Sequence, residues 1–217
     1  MSVMLSEREA LASLVLKMRA KGIDDIALFS ALEKTSRRLF VSANFGDDAY
    51  DNKIIPIECG EYIERLEEQL TLIAALQLEK KHRVLEVGTG SGFTAALLSR
   101  LSGRVTTIER YKTLCDLARQ RFQALGLENI ILRQMDGRQV LSGAGPFDRI
   151  LIWPSRQDEP QDFLEILAAS GLLIQPIGSF DSVQTIVKYK KTGSRFERTD
   201  MFKVRYQPFI EGVAAAL

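Results

Sequence analysis

Residues 84–92 read Val84, Leu85, Glu86, Val87, Gly88, Thr89, Gly90, Ser91 and Gly92: a short apolar run that breaks into alternating glycines. A helical stripe of Ala95, Ala96, Leu97, Leu98 and Leu101 follows at once. A strand that turns on glycine straight into a helix is the opening unit of a parallel α/β sheet. The pattern then recurs. Residues 105–108 read as a strand, and Leu114, Leu117, Ala118, Phe122 and Leu125 stripe a helix closed by Gly126. Residues 130–132 and 149–153 add two strands, 163–169 a helix capped by Gly171, and 172–177 a fifth strand. Two extended runs, 185–191 and 196–206, flank Thr192, Gly193 and Ser194, which predicts an antiparallel hairpin at the end. The expectation is an α/β fold: a mostly parallel sheet with helices on both faces, finished by that hairpin.

The first 80 residues differ in texture. Leu11, Leu14, Val15 and Met18 stripe one helix that stops at Gly22, and Asp24 or Asp25 caps a second through Ile26, Leu28, Phe29 and Leu32. Residues 41–59 are dense in turn formers and read as loop. Ile63, Leu66, Leu70, Ile73 and Ala74 then predict a further helix, with Glu61, Glu64 and Glu68 on another of its faces. A chain of 217 residues with 46% hydrophobic content suits one sizeable core. We therefore expect a single domain over 1–217, with 1–80 a helical lead-in and 81–217 a ligand-binding α/β core.

The glycine loop narrows the ligand. A dinucleotide-binding turn reads G-x-G-x-x-G, and its third glycine lets helix and strand pack closely; Phe93 stands at that position here, which disfavours NAD. Glu109 ends the second strand about twenty residues past the glycines, where a carboxylate can accept hydrogen bonds from both ribose hydroxyls. Asp136 and Gly137 end the third strand. Three strand ends converging on one crevice suit a nucleoside.

The spacing from Glu86 through Gly88 and Gly90 to Gly92, E-x-G-x-G-x-G, resembles class I methyltransferases with a Rossmann-like fold. That resemblance implies S-adenosyl-L-methionine as cofactor and S-adenosyl-L-homocysteine as product. Glu86, Gly88, Thr89, Gly90 and Gly92 would hold its methionine part, Glu109 with Arg110 its ribose, and Asp136 with Gly137 its adenine amino group. The flanks resemble the protein-L-isoaspartate O-methyltransferase family from about residue 11 to 213. The lead-in from Arg19 to Asp25 is similar to the family's start, and Arg37, Arg38, Leu39, Phe40, Val41 to its P-R-x-x-F-V motif without the proline. Ala49, Tyr50, Asp51, then Ile55, Pro56, Ile57, then Pro176, Ile177, Gly178, and the run from Val204 to Phe209 are similar as well. The family methylates the side-chain carboxylate of isoaspartyl residues in age-damaged proteins. An exposed carboxyl with a pKa near about 4 is already ionised at neutral pH, so the reaction rests on alignment and needs no general base.

Two stretches depart from the family. Its substrate loop reads G-Q-T-I-S then Q-P, whereas this chain has Gly60, Glu61, Tyr62, Ile63, Glu64, then Arg65 and Leu66. After the fourth strand the family carries small residues, where Trp153, Pro154 and Ser155 stand here. Glu64 thus falls on the acceptor-loop serine position. Two carboxylates about 4 Å apart repel by roughly 4 kcal/mol at an effective dielectric of about 20, about three decades in binding. Glu64 then points elsewhere, pairs with Arg65, is protonated, or meets an acceptor that is not an anion. In the alternative, Glu61, Glu64, Glu67 and Glu68 form a solvated helix face with Arg65 paired to Glu61.

Composition trims the remaining classes. Twenty-nine basic against twenty-eight acidic residues give a net charge of +1, which favours neither nucleic acid nor an anionic membrane. Arg37, Arg38, Lys188, Lys190 and Lys191 are the basic clusters an RNA acceptor would use. Cys59 and Cys115 read as core fillers and His82 as a surface residue, so no metal is expected. The start carries Glu7 and Glu9 and lacks a basic leader, and no run of about 18 apolar residues occurs, which points to the cytoplasm. The expected partners are proteins or peptides bearing isoaspartyl residues; a methyltransferase acting on RNA or a small molecule, and a cofactor-binding protein without transfer, are the alternatives.

Overall fold

Ser6 opens the first helix, α1 (Glu7–Ala20), by a reciprocal box: its hydroxyl accepts the Glu9 N–H at 3.3 Å and the Glu9 carboxylate accepts the Ser6 N–H at 2.7 Å. The computed structural model describes residues 6–141 and 145–214; the first five residues, where the reading of the chain's start begins, lie outside them. Asp25 caps α2 (Ile26–Glu33) by accepting the Leu28 N–H at 2.9 Å. Two short strands, β1 (Ile55–Pro56) and β2 (Tyr62–Ile63), pair antiparallel and deliver the chain to α3 (Leu66–Ala75).

The core alternates as expected: β3 (Arg83–Val87), α4 (Phe93–Leu101), β4 (Arg104–Glu109), α5 (Lys112–Ala124), β5 (Ile130–Gln134) and β6 (Phe147–Ile152). A short α6 (Gln161–Glu165), β7 (Leu167–Ile177), β8 (Gln184–Thr192) and β9 (Arg195–Val204) complete it. The sheet order is β5-β4-β3-β6-β7-β8-β9, parallel from β5 through β7, with β8 antiparallel to both neighbours. This is the class I, Rossmann-like arrangement with the hairpin at one edge. Alternation along β3 splits the core into two layers. Val84 packs with α2, α3 and α4, whereas Leu85 and Val87 pack with Ile150, Ile152, Phe163 and Leu173.

Two elements differ from expectation. The helix predicted over 163–169 ends at Glu165, because Leu167 pairs with Phe147 and Ile166 accepts the Phe147 N–H at 2.9 Å. Residues 167–171 join β7 through an irregularity, with Ser170 at φ 59°. The helix predicted from Ile63 starts at Leu66 instead. Ile63 is held opposite Ile55 in the small sheet, so Glu61 and Glu64 are not helical and share no face with Glu68. Arg65 pairs with Glu68 at 3.4 Å, one turn on. Among the described residues no helix is long and apolar enough to cross a membrane.

Candidate functional site

Chain order reverses between β3 and β6, and sheets of this kind bind ligands in the crevice outside the carboxyl ends of such strands. A cleft of ≈ 860 Å³ opens there. Its floor is the glycine turn, with Ile108, Glu109, Arg110 and Tyr111 from the end of β4, Met135 and Gly137 from the end of β5, and Trp153 and Pro154 from the end of β6. Ile57, Glu61, Tyr62, Ile63 and Glu64 form one wall, and residues 207–210 another.

The glycine turn is tied to its neighbour strand. Gly88 and Thr89 donate their N–H groups to the Ile108 carbonyl at 2.9 and 3.1 Å, and the Thr89 hydroxyl meets that of Thr107 at 2.6 Å. Gly92 caps α4 at φ 88°, where an added Cβ would lie 2.9 Å from the Phe122 ring and 3.1 Å from Ala118. The glycine at this position therefore lets α4 start close against α5. Gly90 keeps the backbone open to the cleft, where a Cβ would stand 3.5 Å from Ile57.

Glu109 supports the turn from below. One carboxylate oxygen accepts the Gly90 N–H at 2.9 Å, and the other those of Arg110 at 2.8 Å and Tyr111 at 3.1 Å. Burial pushes its carboxyl up, the three N–H donors oppose this, and Glu61 adds to the rise. Arg110 lines the cleft, donates its Nε to the Gly212 carbonyl at 3.2 Å and stacks over Tyr111.

Three of the residues expected around the cofactor, Glu86, Gly92 and Asp136, do not line the cleft, Gly92 instead seating the start of α4 against α5. Glu86 lies beneath the cleft, fully buried on the α4 side of β3. It accepts hydrogen bonds from the Thr94 hydroxyl, from Thr107 at 2.7 Å and from Trp153 Nε1 at 3.1 Å. Burial raises its carboxyl to about 7 against those donors. Asp136 is also off the cleft wall, while Gly137 is on it. Its carboxylate accepts the Arg138 N–H at 2.9 Å, the guanidinium of the same residue at 2.8 Å and the Gly212 N–H at 2.7 Å. The Arg138 hydrogen bonds hold it down to about 2. Glu86 is therefore the hub that orients Trp153 and α4, and Asp136 the anchor of the segment at Glu211 and Gly212.

The acceptor-loop glutamate is inside. Glu64 lines the cleft with 9% exposure, which rules out the solvated helix face. Its backbone carbonyl accepts Arg37 Nη2 at 2.9 Å. Arg37, read from sequence as part of a basic cluster, is wholly buried and also donates to the Ala49 carbonyl at 2.9 Å and to Gln69 Oε1 at 3.3 Å. Burial pushes the Glu64 carboxyl up to about 8; its own backbone N–H and Arg37 oppose this, and Glu68 and Glu61 add to it. His82 is buried, not on the surface, and its Nδ1 accepts the Glu79 N–H at 2.9 Å. Cys115 is a core residue, whereas Cys59 is partly exposed at φ 64° beside the cleft wall.

Sequence reasoning missed the site role of Ile57, Tyr111 and residues 207–210. The last of these carry Pro208 and Phe209 without any period that would place them; Ser155, which donates to the Gln207 carbonyl at 2.7 Å and accepts the Phe209 N–H at 2.8 Å, and the Phe209 ring 6.2 Å from that of Phe163 hold the segment back.

A sequence profile of protein-L-isoaspartate(D-aspartate) O-methyltransferases matches residues 9–214. Among curated proteins, the protein-L-isoaspartate O-methyltransferase of Rhizobium meliloti is 40% identical over 94% of this chain and 100% of its own length. That of Azorhizobium caulinodans is 40% identical over 98% of both. Among solved structures, a Plasmodium falciparum enzyme of the same description, in complex with S-adenosyl-L-homocysteine, shares the fold with a TM-score of 0.78 at 22% identity, over 91% of this chain and 97% of that one. The chain belongs to the protein-L-isoaspartate(D-aspartate) O-methyltransferase family.

Proposed function

We propose that this protein transfers the methyl group of S-adenosyl-L-methionine to the side-chain carboxylate of L-isoaspartyl residues in damaged proteins. The observation that carries the reading is the cleft itself: a glycine turn, the Glu109 carboxylate and the Gly137 backbone meet at three successive strand ends, in a chain of this family. The site residues proposed for the cofactor are Gly88, Thr89 and Gly90 in the turn, Glu109 and Arg110 beside the ribose, and Gly137 beside the adenine. Bound there, the cofactor supplies an electrophilic methyl on a sulfonium; an acceptor carboxylate oxygen takes it, and the carbon–sulfur electron pair stays on sulfur, leaving a methyl ester and S-adenosyl-L-homocysteine.

The protein's own residues position and dry this reaction. Glu109 holds the Gly90 and Tyr111 backbones that shape the ribose end. Trp153, fixed through Nε1 by Glu86, and the 207–210 segment exclude water from the acceptor end. Residues 1–217 are proposed to act as one domain in the cytoplasm, on protein rather than nucleic acid or membrane. The test is incubation with methyl-labelled cofactor and either an isoaspartyl peptide or its normal aspartyl isomer. Base-labile label on the first alone is expected; label on neither contradicts the reading.

A further inference from the structure

Glu64 lines the same cleft as Tyr62 and Trp153, is 9% exposed, and its backbone carbonyl accepts a hydrogen bond from the buried Arg37 guanidinium. Charged and titratable groups face it from every neighbouring segment. Glu61 and Tyr62 come from the loop and β2, Glu68 from α3, Arg37 from the turn after α2, and Tyr206 from the end of β9. Glu68 is engaged: it accepts the Tyr206 hydroxyl at 2.9 Å and Arg65 at 3.4 Å. Arg37 donates through Nη1 and Nη2 to the Ala49 and Glu64 carbonyls and to Gln69 Oε1, none of them a carboxylate, and its Nε is buried without a partner. Arg37 makes no hydrogen bond to the Glu64 carboxylate, and although its charge favours ionisation, burial together with Glu61 and Glu68 outweighs it and favours the protonated acid.

We propose that Glu64 is a specificity-determining residue that meets the acceptor as a neutral carboxylic acid, donating its O–H to the acceptor carboxylate. The proposal rests on the isoaspartyl reading above. A protonated carboxyl offers one donor where the ionised form offers none and repels. The rise of this carboxyl to about 8 agrees with that state at neutral pH. In the reacting complex the sulfonium favours ionisation and the acceptor anion opposes it, two influences of opposite sign on the same group.

The test is calorimetric titration of an isoaspartyl peptide onto the S-adenosyl-L-homocysteine complex of wild type and Glu64→Gln, from about pH 6.5 to about pH 9.5, with transfer rates measured alongside. The expected result is a wild-type dissociation constant that rises about tenfold per pH unit above about 8, because one proton must be held for binding. In Glu64→Gln, whose amide donates at every pH, the constant stays flat. Coinciding profiles for the two proteins, or Glu64→Gln binding at least tenfold more tightly at the lowest pH, would overturn the proposal alone. If both proteins bind S-adenosyl-L-homocysteine and neither binds the peptide at any pH, the acceptor reading falls and the proposal with it. Should the variant lose S-adenosyl-L-homocysteine binding, the wild-type profile decides: a constant independent of pH overturns the proposal.

Discussion

The Asp136 carboxylate accepts the backbone N–H of Gly212 at 2.7 Å and so ties the end of the described chain to the end of β5. Arg138 bridges from the same carboxylate to Glu211, and Arg110 Nε reaches the Gly212 carbonyl. Residues 207–210, one wall of the cleft, are thereby stretched between Ser155, which accepts the Phe209 N–H at 2.8 Å, and this anchor. Asp136→Ala should lower unfolding free energy by roughly 1–3 kcal/mol, the range for losing a charged hydrogen-bonded group, and raise amide exchange at Gly212. Urea titration and hydrogen exchange check both. Because the carboxyl is held below its ordinary value, its contribution is present above about pH 4 and is lost as pH falls toward about 2.

Glu64 and Glu86 have the opposite linkage. A carboxyl raised in the folded state binds more protons there than in the unfolded chain, so stability falls as pH rises from about 4.5 through the folded values of about 8 and about 7. Glu64→Gln should therefore melt above wild type at about pH 8 by several degrees, at about 2–4 °C per kcal/mol for a chain of this size, with the gap closing toward about pH 5. Scanning calorimetry across that range reads it; a gap independent of pH would contradict the buried-acid description.

Glu86→Ala should be among the most destabilising substitutions in the core. It strands the hydroxyls of Thr94 and Thr107 and the Trp153 indole N–H without their acceptor, at a cost of roughly 3 kcal/mol or more. Glu86→Gln keeps a carbonyl for Thr94 and Trp153 and should cost less than half as much. Urea midpoints at unchanged slope check this.

Gly92→Ala combines a left-handed backbone with a Cβ 2.9 Å from the Phe122 ring. A cost of roughly 1–3 kcal/mol follows from the backbone alone, with a shift of the turn that weakens S-adenosyl-L-homocysteine binding by more than about tenfold. Gly193→Ala, at a hairpin tip with open space around its Cβ position, should leave that binding unchanged. Titration of the ligand onto both variants separates the two sites.

What was legible in the sequence follows from where each signal is local. β3 to β6 declare themselves because apolar runs and turn glycines act over a few residues, and the Glu109 and Gly137 positions come with them. Glu86 was legible as a position and not as an orientation: period two along β3 turns it away from the cleft that Val87 faces. The acidic stretch 61–68 has helical spacing, yet Ile55 across the small sheet and Arg37 from the turn after α2 hold its first half extended. Residues 167–171 are small and apolar enough for either helix or strand, and pairing with β6 decides. Residues 207–210 carry no period, so only the fold places them.

Titration of S-adenosyl-L-homocysteine onto wild type and Glu109→Ala by calorimetry tests the cofactor cleft most directly. Glu109 fixes the Gly90, Arg110 and Tyr111 backbones where the ribose is proposed to lie, so the account predicts saturable binding to wild type. The variant should bind more weakly by roughly 1–3 kcal/mol. No binding to wild type at millimolar ligand, or an equal dissociation constant in the variant, would contradict it.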